Sequence, residues 1–68
     1  MRPVTKFTLD SLTYYLEYNR SHYSVVMDDV VIGRIDVINS RMFRANGGLY
    51  DRLYMAARDL VRRKVAQP

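Results

Sequence analysis

The chain contains no cysteine, no tryptophan and a single histidine. Without cysteine there is no disulfide framework, no thiolate nucleophile and no cysteine-built zinc site. His22 lacks the second imidazole that a histidine metal site needs, and Asp28-Asp29 alone falls far short of the roughly six to eight oxygens calcium takes. No metal and no cofactor is expected. Glycine is scarce, with only three residues. There is no GxGxxG, and no Lys-Ser/Thr follows Gly47-Gly48 as a P-loop requires. No stretch approaches the roughly 20 apolar residues of a membrane span. Met1 to Phe7 carries two charged side chains with no apolar run behind them, so no export signal is expected. The Asn19-Arg20-Ser21 sequon then reads as a turn, and the cysteine-free composition fits a cytoplasmic setting.

What is present fits one small folded domain. Apolar residues make up 49% of the 68 positions, too many for a disordered tail. A chain this short buries only about 60% of its unfolded surface, so its core is small and a partner or a second copy often completes it. A homodimer is therefore one candidate assembly.

Residues 1–6 read as a tail and residues 7–38 as mainly β. In Leu12–Asn19, Leu12, Tyr14, Leu16 and Tyr18 alternate with Thr13, Tyr15, Glu17 and Asn19, the period of a half-buried strand. The rival is a helix on Leu9, Leu12 and Leu16. Arg20-Ser21-His22 reads as a turn. Tyr23–Ile38 is rich in valine and isoleucine and reads as a hairpin about Asp28-Asp29, since aspartate tolerates left-handed backbone angles.

The register of that hairpin holds a conflict. A two-residue turn pairs Met27 with Val30 and Val25 with Ile32, which puts the two apolar rows on opposite faces. A three-residue turn through Val30 aligns them but strains a valine. A bulge near Gly33 is the third solution.

Residues 39–48 have the composition of a loop, with Met42 and Phe43 either plugging the core or forming an exposed contact. Residues 49–65 form an amphipathic helix: Leu49, Tyr50, Leu53, Tyr54, Ala56, Ala57, Leu60 and Val61 share one arc. Asn46 or Gly47 is its expected start. The expected architecture is α+β, a three-stranded antiparallel sheet with one C-terminal helix packed on it. The alternative is α-β-β-α, if the first segment is helical.

Charge is unevenly spread. Residues 1–38 carry a net −1 and residues 39–68 a net +5. The cations of the second part are Arg41, Arg44, Arg52, Arg58, Arg62, Arg63 and Lys64. Arginine-rich faces pair with phosphates, so these seven are the candidate nucleic-acid-binding residues. A solvated helix face and an acidic protein surface are the competing readings. Exposed tyrosine beside arginine also suits protein interfaces, and Tyr15, Met42 and Phe43 are the candidate contacts. With no nucleophile–base pair in a shaped pocket, catalysis is not expected. The sequence points to a non-enzymatic accessory protein that binds nucleic acid (DNA or RNA). The alternative is a protein-interaction module acting as inhibitor or regulator of a larger complex.

Overall fold

The computed structural model describes residues 4–20 and 22–66. Five strands and one helix follow in order: β1 (Val4–Leu9), β2 (Leu12–Asn19), β3 (His22–Met27), β4 (Val30–Val37), β5 (Phe43–Gly47) and α1 (Asp51–Ala66). The strands form one antiparallel meander, β1-β2-β3-β4-β5. No helix among the described residues is long and apolar enough to cross a membrane.

This corrects the three-stranded expectation. The α+β class with a C-terminal helix stands, but β1 and β5 flank the three anticipated strands. Leu12–Asn19 is strand, which removes the α-β-β-α alternative. Val4–Lys6, placed in a tail, belongs to β1, and residues 1–3 lie outside the described residues. Thr5, Phe7 and Leu9 alternate with Lys6 and Thr8, a period-two pattern that closes onto β2 through Asp10 and Ser11. Both turn residues have positive φ, 52° and 67°, as the tightest hairpin turns require. The stretch expected to be a loop contains β5, because Phe43 and Ala45 pair with Val37 and Ile35 on the sheet edge. His22 opens β3 instead of closing a turn.

The β3–β4 hairpin resolves its conflict by combining two of the three solutions. Asp28 and Asp29 form a two-residue turn with φ of 52° and 63°. The ladder then slips: Val26 pairs with Val31, but Val25 pairs with Gly33, leaving Ile32 as the extra residue of a bulge. One added residue reverses the parity of β4. Val25, Gly33 and Ile35 thus share the face that takes the helix.

That face and α1 make the core: Tyr14, Leu16, Tyr23, Val25 and Ile35 from the sheet, Leu53, Ala57 and Val61 from the helix. Gly33 and Gly47 are paired where the chain turns back over the sheet. A Cβ on Gly33 would lie 2.6 Å from Leu49 Cγ, so the missing side chain is the seat of Leu49. Gly47 has φ of 92° and also lacks room, its Cβ position being 2.9 Å from Gly33 Cα. The helix begins later than expected, since Tyr54 N donates to Tyr50 O at 2.9 Å. Tyr50 takes the capping position, and Asp51 in the first turn complements the helix dipole.

Candidate nucleic-acid interface

A meander places alternate turns at opposite ends of the sheet, and this sorts the charges. The β1–β2 turn (Asp10), the β3–β4 turn (Asp28, Asp29) and the start of α1 (Asp51) share one end. Arg52 ties the helix start to that end through an ion pair with Asp10 at 3.0 Å. The β2–β3 turn (Arg20), the β4–β5 loop (Arg41) and the end of α1 (Arg62, Arg63, Lys64) share the other. One cleft brings Arg20 and Lys64 together, and another brings Arg41, Arg58 and Arg62 together. The molecule therefore has an acidic end and a basic end.

The sequence-derived cations do not all join the basic end. Arg52 sits at the acidic end. Arg44 lies opposite Asp36 in the β4–β5 register, on the sheet face away from the helix. Arg63 is at the basic end but paired to Asp59 at 2.8 Å, one helical turn back. The three that converge are Arg41, Arg58 and Arg62, around a cleft of about 380 Å³ with Ser40 and Phe43. Local hydrogen bonds hold the loop that presents Arg41. Asn39 Oδ1 accepts from Arg41 N at 2.9 Å and from Met42 N at 3.1 Å, and Ile38 N donates to Met42 O at 3.0 Å. Arg58 lies over the Tyr54 ring, 5.4 Å from its centroid, and its Nε is shielded without an acceptor.

A second cleft, of about 430 Å³, lies between the end of α1 and strands β2 to β4. Tyr18, Arg20, Tyr23, Val37, Lys64 and Val65 line it, and the two tyrosine rings are 5.1 Å apart. Burial, with Tyr18 beside it, pushes the Tyr23 phenol above its ordinary pKa. Sequence reasoning passed over Arg20 and Tyr18 because only the strand order brings their turn to the helix end.

The three candidate protein contacts separate. Phe43 is half-buried against the core, while Met42 is 58% exposed. Tyr15 lies on the open sheet face beside Val26, which pairs in turn with Val31. That face also carries a depression lined by His22, Ser24, Val31, Ile32, Arg34 and Asn46. Both oxygens of the neighbouring Asp36 are engaged, by Asn46 Nδ2 at 2.7 Å and Arg34 Nε at 3.0 Å. Among the described residues, no three His, Cys, Asp or Glu side chains gather as a metal site. Comparison with protein-family models, with curated proteins and with solved structures found no match to this chain.

Proposed function

We propose that this chain is a small non-enzymatic, cytoplasmic protein that docks its basic end on the phosphate backbone of a nucleic acid. The observation that carries the reading is the segregation of charge along the strand axis. Complementing the helix dipole accounts for Asp51, Arg63 and Lys64. It does not account for Arg20 and Arg41, which come from a turn and a loop and add to the same end. Neutralising phosphates releases counterions, so binding driven by this end weakens steeply with salt. The test is titration of the purified protein against labelled duplex DNA, single-stranded DNA and RNA across a salt series. About three phosphate contacts correspond to a log–log slope of roughly −3 on duplex DNA. Charge reversal of Arg58 and Arg62 should flatten the slope, and the same change at Arg52 should leave it unaltered.

A second reading rests on the open sheet face, where Tyr15 and Val31 flank buried Val26 as an aromatic–aliphatic strip. Such a strip suits a protein interface, with a regulated complex or with a second copy. Sedimentation at high concentration tests the homodimer. Binding that tolerates salt but is lost on Tyr15→Ala would favour this face over the basic end.

A further inference from the structure

We propose that the cleft between the β4–β5 loop and the second half of α1 seats one phosphate group of the bound nucleic acid, with Arg58 turning off Tyr54 to complete the seat. This rests on the reading above and locates its central contact.

The pairing pattern singles out this cleft. Arg34, Arg52 and Arg63 each have an aspartate within about 3 Å, at 3.0, 3.0 and 2.8 Å. Arg41, Arg58 and Arg62 have no carboxylate partner among the described residues, although all three line one cleft. Arg58 and Arg62 stand four residues apart on one helix flank, where like charges repel. The hydrogen-bonded β4–β5 loop holds Arg41 beside them. An oxyanion between the three relieves that repulsion.

Arg58 supplies an independent observation. Its Nε is shielded from solvent and without an acceptor. Buried donors are almost always paired, so the resting rotamer leaves a hydrogen bond unmade. Rotation of the guanidinium from the Tyr54 face toward the cleft presents Nε and one Nη as a fork, the geometry that binds a phosphate through two oxygens. Ser40 adds a hydroxyl donor, and half-buried Phe43 lowers the dielectric beside the charges. A carboxylate is planar and offers two oxygens, which one fork satisfies. A tetrahedral phosphate can accept from several directions and suits donors arriving from two elements.

The experiment uses the full chain with oligonucleotides that carry or lack a 5′-phosphate, and separately with inorganic phosphate. Arg58→Lys keeps the charge but removes the fork. It should lower oligonucleotide affinity about tenfold, as loss of one charge-assisted hydrogen bond does. Arg52→Lys, at the acidic end beside Asp10, should change affinity less than twofold. Ser40→Ala provides a second variant that leaves the helix intact, and thermal melts confirm that each variant folds. Inorganic phosphate should move the Arg58 Nε–Hε resonance saturably. A 5′-phosphate preference that disappears in Arg58→Lys assigns the seat to a strand terminus, and equal affinities assign it to an internal diester. Normal nucleic-acid binding by both Arg58→Lys and Ser40→Ala would overturn the seat and leave the broader reading standing. Absence of nucleic-acid binding, with the phosphate-induced shift retained, would keep the seat and remove nucleic acid as its source. Absence of both would overturn both.

Discussion

Gly33 shows how much one missing side chain organises here. Leu49 fills the space a Cβ would take, at 2.6 Å to Cγ and 2.8 Å to Cδ2, and Asn46 O closes the third side at 3.0 Å. Gly33→Ala should therefore overpack the sheet–helix junction and cost about 1–3 kcal/mol, read by urea unfolding. Tyr14 makes a second residue-scale prediction. A side-chain hydrogen bond with Tyr50 raises its phenol above the ordinary value, with burial adding to the effect. Tyr23 is raised by burial. A phenol whose folded pKa lies above the unfolded value leaves stability intact below about pH 10, where both states are protonated. Stability should then fall as pH climbs above about 10 toward the folded pKa, because the unfolded chain sheds its proton first. Tyr14→Phe should shallow that alkaline decline in a pH series of thermal melts. A decline as steep as the parent's would assign the effect elsewhere. At this scale the sequence was partly informative. Arg41, Arg58 and Arg62 stood out as candidate phosphate ligands, but nothing in their spacing distinguished them from Arg52, which pairs with Asp10 from a distant turn.

Elements with a strong hydrophobic period were legible, and those without one were not. The helix announced itself through Leu53, Ala57 and Val61, and the β3–β4 hairpin through its valines. β5 reads Phe-Arg-Ala-Asn-Gly, an alternation carried by one large apolar residue and masked by the loop-forming Asn46 and Gly47. β1 alternates, but Asp10-Ser11 lacks the glycine that usually marks a tight hairpin. The bulge was legible as one answer to a register conflict, because side-chain parity is strict. It yields a contrast between two deletions. Removing Ile32 leaves Met27, Val26 and Val25 opposite Val30, Val31 and Gly33, a regular ladder with unchanged faces. This variant should still unfold cooperatively, though with reduced stability, since Ile32 O accepts from Gly48 N at 3.0 Å. Removing Arg34 instead either turns Ile35 out of the core or, if the bulge closes, puts the Ile32 side chain where Leu49 sits against Gly33. Either outcome should be more damaging than loss of Ile32. Circular dichroism melts of the two variants decide this. Equal damage from both would mean the bulge does not set the register.

For the molecule as a whole, chain order becomes charge order. An odd number of strands in a meander returns the chain to the β1–β2 turn end, so α1 starts beside Asp10 and ends beside Arg20 and Arg41. The net +5 of residues 39–68 suggested an anionic partner, but only the fold adds Arg20 to the basic end and moves Arg52 and Arg44 away from the three-arginine cleft. The most direct test of the binding claim is the salt dependence of oligonucleotide affinity for the parent chain and for the Arg41→Glu, Arg58→Glu and Arg62→Glu triple variant. The parent should show a log–log slope of roughly −3 on duplex DNA, and the triple variant a slope near zero with much weaker binding at low salt. Equal slopes in the two proteins, or no binding by the parent at low salt, would contradict the assignment of the basic end as a phosphate-binding surface.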